Sequence, residues 1–410
     1  MRVAVFTNEF PSESGTFFGR DIRVLIESGI KVEILPTRPT NAKRWRYAGD
    51  VTDCDAFSRE DVHHVSPLSL GLISTKCTHE PIANIRDEVR RIIADSRQHG
   101  LAPLAKTVYA CLQGVAWLSR DTRQFDAVFS YWGNHPGTTA YLASRFAEQP
   151  MPLVLGLQAH DLFYNRVHFR QKIQHAARIL VASGYSRDYL FNLHPELRDE
   201  LDAKTEIIPA GLDLNSFAFR PEDRSPATLI AIGRHHTVKG LDYLLRAMAV
   251  LSPQRSDLRL ELVGDGPERR TLQMLTRKLG LADRVSFGGW IEPHPAREKL
   301  SRATLLVHPS SDLDAMPNVV KEAMAVGTPV VASAVAGIPE MLDDGGCGLL
   351  VEPRNVEQLV NAIDTYLDHP KLRREHAEAA RRRCEERFDM WRNGRRLRDL
   401  LVSAAHSTAT

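Results

Sequence analysis

Short apolar runs alternate along the whole chain with longer stretches in which apolar positions recur every three or four residues. The short runs predict buried parallel strands, and the longer stretches predict amphipathic helices. Alternating strands and helices predict an α/β fold whose parallel sheets are covered by helices on both faces. The predicted strands are Val3–Thr7, Lys31–Leu35, Ala127–Tyr131, Leu153–Leu157, Ile179–Ala182, Glu206–Ile208, Leu229–Gly233, Leu260–Val263, Val285–Phe287, Leu305–Val307, Val330–Ala332 and Leu349–Val351.

The predicted helices fall between these strands. A further stretch, Lys371–Leu401, is interpreted as an arginine-rich helical tail. For this tail, a solvated face packed by its apolar positions is favoured over a membrane or partner contact. The other predicted helices are Phe18–Ser28, Ile82–Arg97, Ala105–Ser119, Thr138–Phe146, Ser186–Asn192, Leu241–Leu251, Glu268–Leu279, Val319–Val326 and Val356–Leu367.

A loop-like segment, Pro209–Pro226, separates the two halves of the 410-residue chain, a length that allows two or three domains. We predict an N-terminal domain over residues 1–212, a C-terminal domain over residues 213–385, and a helical tail over residues 386–410 that packs back toward the N-terminal domain. Two doubly wound domains facing each other across a cleft would place ligands at the carboxyl ends of the strands.

Composition narrows the function classes. The 53 Lys and Arg residues against 51 Asp and Glu leave a charge of +2, too balanced for nucleic acid as the main partner. The five cysteines include no Cys-x-x-Cys pair, which argues against a zinc site and a disulfide framework. No signal-peptide pattern and no apolar stretch of about 20 residues is present, so the cytoplasm is expected, or at most the cytoplasmic face of a membrane.

The most informative stretch is Val307–Glu340. A loop carrying Asp312 and Asp314 follows a predicted strand, and a helix that begins near Asn318 carries Glu322. The unpaired amides of a first helical turn favour an anion, and carboxylates suit the hydroxyls of a sugar or ribose. Taken alone, the stretch fits equally well a Glu322 that only caps its helix or faces solvent.

Three other places carry candidate chemistry. Arg234 and Lys239 leave a strand end five residues apart, which suits a diphosphate but in isolation fits surface salt bridges equally well. His160, beside Asp161, follows a buried strand, although such a histidine is more often structural. The turn Phe10–Arg20 joins the first strand to the first helix and is a weak phosphate-binding candidate, since it lacks the G-x-G-x-x-G pattern.

Two patterns suggest metals and are interpreted otherwise. Asp312 and Asp314 have the D-x-D spacing of metal-dependent sugar transferases, but Arg234, Lys239 and a helix start supply positive charge without a metal. We therefore expect neither a metal nor another cofactor. The adjacent pairs His63-His64 and His235-His236 lack i, i+4 spacing and are interpreted as surface or loop histidines.

In chain order, the motifs GR-x4-KG (233–240), GDGP (264–267), V-x-F-x-G (285–289), the acidic pair and AxGxPVVAS-x3-GIPE (325–340) together resemble the retaining glycosyltransferases of family 4, which have the GT-B fold. The pattern is similar to bacterial exopolysaccharide and lipopolysaccharide transferases. FP-x3-GT-F (10–17), AHD (159–161) and IIPAGLD (207–213) also fit, so the resemblance covers nearly the full chain.

The resemblance implies the roles of the site residues. Arg234 and Lys239 would bind the donor diphosphate, and Glu322 the nucleotide ribose. Asp314 would contact the transferred sugar, and His160 would lie near the sugar or the scissile bond; these five form the implied catalytic set. The implied donor site, including backbone groups that face the base, is completed by Gly15, Thr16, Gly264, Trp290, Ile291, Met316, Pro317, Asn318 and Val319.

Three positions depart from the family pattern. Asp314 is one methylene shorter than the more usual glutamate. Thr16 stands where many members have a second glycine, and Ala336 replaces the first glycine of a GG-x-P-E turn. None of these changes removes a charged group, so activity is still expected.

The expected reaction is transfer of a hexosyl unit from a nucleotide diphosphate sugar to a glycan, lipid-linked or small-molecule hydroxyl, with the anomeric configuration retained and no metal required. The alternatives are a nucleotide-sugar epimerase or phosphorylase of similar build and an inert nucleotide-sugar-binding module. Donor, acceptor and oligomeric state stay open. The Arg44-Trp45-Arg46-Tyr47 run and the arginines of the helix over residues 82–97 suit a membrane surface, although a solvated face fits at least as well.

Overall fold

The computed structural model describes residues 1–12, 16–39, 58–66, 80–119, 122–221 and 227–407. The chain divides into two compact units. The first comprises Met1–Ala182, Ser186–Gly211 and Met390–Thr410, and the second comprises Ser183–Tyr185 and Leu212–Asp389. The last helix therefore belongs to the first unit, although it follows the second along the chain.

The first unit is built on a six-stranded parallel sheet in the order β2-β1-β3-β4-β5-β6. Strand β1 lies between β2 and β3, and its residue Val5 pairs with Ile34 on one side and Phe129 on the other. The order of the strands thus reverses beside β1, which is the place where such sheets bind ligands at their carboxyl edge. The strands are β1 (Arg2–Thr7), β2 (Lys31–Pro36), β3 (Ala127–Ser130), β4 (Leu153–Leu157), β5 (Arg178–Val181) and β6 (Thr205–Ile207).

Helices cover this sheet, and the last helix of the chain contributes to its core. Leu397, Leu401 and Ala404 pack in one buried cluster with Val5 and Ile22. The described helices of this unit are α1 (Thr16–Glu27), α2 (Ile82–Ser96), α3 (Leu101–Trp117), α4 (His135–Phe146), α5 (Ala159–Phe163), α6 (Phe169–His175), α7 (Gly184–Leu193), α8 (Arg198–Lys204) and, from the end of the chain, α16 (Met390–Ser407); α7 begins in the short stretch grouped with the second unit.

The second unit repeats the arrangement with a six-stranded parallel sheet in the order β12-β11-β10-β7-β8-β9. Its first strand, β7, lies between β10 and β8, so the carboxyl ends of β7 and β10 meet at the reversal of strand order. The strands are β7 (Thr228–Ile232), β8 (Arg259–Val263), β9 (Val285–Gly289), β10 (Leu305–His308), β11 (Val330–Ser333) and β12 (Leu349–Val351).

Both faces of the second sheet are buried. Successive residues of β7 point to opposite faces, so Ile230 packs with α12 and α15 while Leu229 and Ala231 pack with α9 and α14. The continuous apolar runs of the sequence reflect this double burial. The helices are α9 (Leu241–Leu251), α10 (Arg269–Lys278), α11 (Pro293–Arg302), α12 (Asn318–Val326), α13 (Ile338–Met341), α14 (Val356–Asp368) and α15 (Pro370–Arg387).

All twelve predicted strands are present, whereas five helices, α5, α6, α8, α11 and α13, were not predicted. Helix α11 begins at Pro293, since proline is tolerated in the first turn, where the amide has no helical partner. The arginine-rich tail is two helices, α15 and α16, separated at Phe388 and Asp389. In the described part of the chain, no helix is both long enough and apolar enough to span a bilayer.

Candidate functional site

The reversal of strand order in the second unit brings together a cation and a carboxylate that are distant in sequence. Lys239 follows β7 and Asp314 follows β10, and the Lys239 Nζ atom lies 2.5 Å from Asp314 Oδ2. Both side chains are largely buried, with exposed fractions of 24% and 15%. The structure therefore joins two of the sequence-predicted site residues in one ion pair.

Two further donors converge on the same carboxylate oxygen. Asp314 Oδ2 also accepts hydrogen bonds from His308 Nε2 at 2.8 Å and from Ser310 Oγ at 2.9 Å. Burial alone would raise the pKa of Asp314, but the Lys239 ammonium and the His308 ring hold that pKa well below its usual range. Asp314 is therefore ionised at neutral pH. Because Oδ2 is an acceptor only, His308 carries its proton on Nε2.

Arg234 is the exposed member of this group. It directly follows Gly233, and the Lys239 Cε atom lies 3.8 Å from the position that a Cβ of Gly233 would occupy. Arg234 forms no hydrogen bond or ion pair with any residue in the described ranges. A guanidinium without a protein partner, beside a lysine at the carboxyl edge of a parallel sheet, is able to bind a phosphate group.

Glycines allow the loops of this edge to pack backbone against backbone. A Cβ on Gly264 would lie 2.0 Å from the Gly233 carbonyl oxygen, and one on Gly240 would lie 2.0 Å from the Pro309 carbonyl oxygen. Both glycines have positive φ angles, of 128° and 59°. The GDGP loop after β8 and the loop after β10 are therefore locked onto the loop that carries Arg234 and Lys239.

Helix α12 begins four residues after Asp314. Pro317 precedes its first residue, Asn318, and no side chain caps the helix start. The amides of the first turn therefore carry the partial positive charge that attracts an anion. Glu322 lies one turn into this helix and is half-buried. Met316 and Val319, two other predicted donor residues, are also half-buried next to this start.

The predicted base-contacting residues follow β9. Trp290 is 47% exposed, and Ile291 is half-buried in the segment between β9 and α11. This segment is tied to the GDGP loop, because the Gly264 amide donates a 2.7 Å hydrogen bond to the Gly289 carbonyl. The loops after β7, β8 and β9 thus form one connected surface.

In the first unit, His160 lies on α5, directly after β4. Burial, together with the positive charge of Lys106, lowers the pKa of His160, so its ring is neutral at pH 7. The Tyr164 ring lies beside it, with the two ring centroids 6.2 Å apart. Thr16, another predicted residue of this unit, is the first residue of α1. Gly15 and the Arg44-Trp45-Arg46-Tyr47 run lie outside the described residues.

The two carboxylates of the D-x-D pattern, Asp312 and Asp314, lie in different environments. Asp312 is exposed and accepts a hydrogen bond from the Leu313 amide at 2.7 Å, whereas Asp314 faces Lys239 and His308. No group of three or more metal-ligating side chains occurs within the described ranges. His308 and Ser310, which sequence reasoning missed, were detectable only by their position at the carboxyl end of β10.

One sequence interpretation was right only in part. His235 lies in the loop after β7 but not at the surface: it is fully buried against Phe287, and neither ring nitrogen has a hydrogen-bond partner among the described residues. It is covered by the GDGP loop, since the Asp265 carbonyl accepts from the His235 amide and a Cβ on Gly266 would lie 2.4 Å from the His235 carbonyl oxygen. Its partner in sequence, His236, is exposed and caps the turn at Val238.

Comparison with known sequences identifies the second unit. Residues 215–383 match the sequence model of the family described as "Glycosyl transferases group 1". The expected resemblance to glycosyltransferases is confirmed by this match.

Curated relatives carry related names. The chain is 32% identical over 225 residues to an alpha-D-kanosaminyltransferase of Streptomyces kanamyceticus, a match that covers 52% of this chain and 56% of the relative. It is 29% identical over 324 residues to a D-inositol 3-phosphate glycosyltransferase of a Mycobacterium species, covering 73% and 63% of the two chains. The chain thus spans less than two thirds of the length of these relatives.

Solved structures share the whole fold. The Anabaena protein Alr3699/HepE, determined in complex with UDP-glucose, superposes with a TM-score of 0.70 at 20% identity and covers 98% of this chain and 100% of its own. This similarity confirms two Rossmann-like units of the GT-B type.

Proposed function

We propose that this chain, whose residues 215–383 match the model of the glycosyl transferases group 1 family, is a retaining glycosyltransferase that moves a hexosyl unit from a nucleotide diphosphate sugar to an acceptor hydroxyl. The observation that carries the proposal is the Lys239–Asp314 ion pair beside Arg234, which has no partner within the described ranges, at the place where the strand order reverses. This arrangement offers fixed positive charge at the place where a parallel sheet binds its ligand.

The leaving diphosphate is the natural ligand of the two cations. Lys239 uses one ammonium hydrogen on Asp314, and no other partner occurs among the described residues, so two hydrogens can face phosphate oxygens. Arg234 supplies the planar donors that match a phosphate. As the bond to the diphosphate breaks, both cations and the uncapped start of α12 would stabilise the growing negative charge, and Lys239 and the helix start are already held in place for this.

Asp314 suits the transferred sugar despite being shorter than the usual glutamate. Its Oδ2 atom is occupied by Lys239, His308 and Ser310, whereas Oδ1 has no donor in the described part of the chain. An ionised oxygen in this position can accept hydrogen bonds from sugar hydroxyls. Glu322, on the next helix, would bind the ribose hydroxyls of the nucleotide.

Metal independence is part of the proposal. Arg234, Lys239 and the start of α12 would provide the charge that Mg²⁺ provides in other sugar transferases. Transfer in EDTA should therefore equal transfer in added Mg²⁺ or Mn²⁺. A loss of activity in EDTA that either ion restores would contradict this part of the proposal.

The acceptor is assigned to the first unit, where neutral His160 would lie near the sugar or the scissile bond. Names of relatives include an alpha-D-kanosaminyltransferase and a D-inositol 3-phosphate glycosyltransferase, so a glycan, a glycolipid and a small metabolite all stay candidates. Helix α3 exposes Leu101, Tyr109 and Leu112 together with Lys106, and helix α2 exposes Ile82. This apolar and basic surface supports peripheral contact with anionic lipid at the cytoplasmic face.

The test begins with a thermal-shift screen of UDP- and GDP-sugars, followed by a transfer assay with the sugar that binds. Arg234→Ala and Lys239→Ala should each lower transfer at least 100-fold while the melting temperature stays within a few degrees. Arg302→Ala is the matched control, because Arg302 is an exposed arginine just before β10, at the opposite edge of the same sheet. Near-normal transfer in the first two variants, or inversion of the anomeric centre in the product, would reject the proposal.

A further inference from the structure

Lys172 is a buried lysine of the first unit that lies outside every predicted motif. It lies on α6 and is 1% exposed, and burial lowers its pKa to about 8. A buried ammonium is costly unless its hydrogens are satisfied. All three ammonium hydrogens of Lys172 have an acceptor within reach. The Nζ atom lies 2.6 Å from the Gly133 carbonyl oxygen, 3.3 Å from the Asn134 carbonyl oxygen and 3.4 Å from Thr138 Oγ1.

These contacts hold the loop between β3 and α4 at the carboxyl edge of the first sheet. The same loop is held from the other side by Asp161, which is fully buried. Asp161 Oδ2 accepts hydrogen bonds from the Gly133 amide at 2.9 Å and from the Gln158 amide at 3.1 Å. Gly133 is therefore clamped at both ends, with its N–H bound to Asp161 and its C=O bound to Lys172.

The hydrogen bond from the Gln158 amide to Asp161 connects the loop after β3 to the loop after β4. Gln158 is the residue before α5, and Asp161 closes the capping arrangement of that short helix. His160 is its second residue and directly precedes Asp161. Burial raises the pKa of Asp161 to about 7, and the positive charge of Lys172 partly offsets that rise. Each buried charge thus helps to keep the other ionised.

Side-chain packing also restricts the position of Gly133. A Cβ on Gly133 would lie 2.5 Å from Leu157 Cδ2 and 3.3 Å from Asp161 Cβ. Leu157 is the last residue of β4, the strand that leads into α5. The loop after β3 and the loop after β4 are consequently joined by side-chain packing as well as by hydrogen bonds.

We propose that Lys172 is a positioning residue for transfer: together with Asp161 it locks the loops after β3 and β4 to each other, and this lock sets the place of the His160 ring. The inference rests on the proposed function, because it assigns His160 to the reacting end of the sugar. Lys172 itself, enclosed by Gly133, Asn134 and Thr138, acts only through the loops. A displacement of about 1 Å at a reacting group can lower a rate about 100-fold.

The test compares Lys172→Met with Lys204→Met. Lys204 is a matched control: its Nζ also donates to a backbone carbonyl, that of Gln174 on α6, at 3.1 Å, and to Glu200 at 2.7 Å, but neither partner belongs to the loops after β3 and β4. Lys172→Met should lower kcat 10- to 100-fold and leave the donor KM within threefold. Lys204→Met should leave both constants unchanged. Full kcat in Lys172→Met would overturn the proposal.

A second variant and a second readout separate positioning from folding. Lys172→Met combined with Asp161→Asn leaves no unpaired buried charge, so it should fold even where the single variant does not; its kcat should stay low because the carbonyls of Gly133 and Asn134 still lack their donor. Amide exchange over residues 158–160 should become at least tenfold faster in Lys172→Met and unchanged in Lys204→Met. If amide exchange is unchanged in Lys172→Met, the proposed connection between the loops is overturned, even if the wild type shows no transfer. If the wild type shows no transfer but exchange is faster in Lys172→Met, only the catalytic assignment is overturned.

Discussion

At the residue scale, one carboxylate oxygen organises the charged groups of the second unit. Lys239, His308 and Ser310 all donate to Oδ2 of Asp314, which fixes the lysine beside Arg234 and leaves Oδ1 open to a ligand. Removing one partner from such a buried group leaves an unpaired charge, which costs more than the pair contributes. Asp314 is therefore expected to matter for both stability and catalysis.

Asp314→Asn should lower transfer at least 100-fold and lower the free energy of unfolding at pH 7 by about 3 kcal/mol. Since the pKa of Asp314 is held low in the folded protein, its contribution is present above pH ~4 and is lost as the pH falls further. The difference in the free energy of unfolding between the wild type and Asp314→Asn should thus become smaller as the pH falls below ~4. Asp312→Asn is the control, because that carboxylate is exposed. Equal loss of transfer in both variants would contradict the assignment.

His235 contributes a pH dependence of the same sign as Asp314, but at a higher pH. Its burial lowers the pKa of the ring in the folded state, so the unfolded chain takes up the proton first as the pH falls below ~6.5. The free energy of unfolding therefore declines as the pH falls below ~6.5, whereas above that pH the neutral His235 ring costs nothing through protonation. Electrostatic interaction with Arg269 adds to the effect.

His235→Leu should raise the free energy of unfolding by about 1 kcal/mol at pH 7, because it removes two buried nitrogens without partners. It should also flatten the pH dependence between pH 6.5 and 5, where each proton bound on unfolding is worth about 1.4 kcal/mol per pH unit. Chemical denaturation of both proteins at pH 7.5 and 5.5 measures the difference. Parallel pH profiles would show that His235 does not titrate on unfolding.

At the element scale, the site depends on loops that touch through glycine backbone. The loop after β8 can pack on the loop after β7 only because Gly264 has no side chain. A residue with a Cβ at this position would collide with the Gly233 carbonyl and push the Arg234 loop away.

Gly264→Ala should lower the melting temperature by at least 5 °C and abolish donor binding, which differential scanning calorimetry and thermal shift with the donor would measure. The control is Gly280→Ala: that glycine also has a positive φ, 70°, but has no atom within 4 Å of an added Cβ. Its cost should be the backbone strain alone, about 1 kcal/mol. If both variants behaved alike, loop packing would not be the reason for Gly264.

Elements and local motifs were readable from the sequence where a short pattern determines them. The strands are continuous apolar runs, and Arg234, Lys239 and Asp314 fall at strand ends that follow from those runs. His308 was missed because its role depends on where the chain turns after β10. His235 was misread because its polar neighbours suggest a surface, whereas its burial comes from a distant loop folding over it.

Ala336 illustrates a local rule that the fold overrides. The family pattern has glycine at this position, and the structure gives Ala336 a φ of 48°, in the left-handed region that favours glycine. Its neighbour Gly337 keeps the close approach that the turn requires, because a Cβ there would lie 2.3 Å from the Ala315 carbonyl oxygen. The turn thus keeps glycine at the position where a Cβ would collide with a backbone oxygen.

At the scale of the whole molecule, the chain ends in the unit where it began. Helix α16 follows the second unit but packs on α1, and Gly394 has no room for a side chain because a Cβ would lie 2.4 Å from Val24 Cγ1. Leu401 is fully buried in the core of the first unit. The stability of that unit therefore depends on residues nearly 400 positions from its first strand.

Leu401→Ala should destabilise the first unit by about 3 kcal/mol, the cost of a cavity in a packed core. Because two units can unfold separately, calorimetry should show a shift in one transition and not in the other. Arg398→Ala on the same helix is the control, as its guanidinium is bound by the neighbouring Asp399. A shift of both transitions, or of neither, would contradict the assignment of α16 to the first unit.

The central claim is that Arg234 and Lys239 bind the diphosphate of a nucleotide. Isothermal titration in EDTA measures it most directly, using UDP against UMP and GDP against GMP with wild type and Arg234→Ala. We predict that one diphosphate binds the wild type at least tenfold more tightly than the variant, whereas the matching monophosphate binds both with affinities within threefold. Equal affinity of the diphosphate for the two proteins, or no binding of either diphosphate to the wild type, would contradict the account.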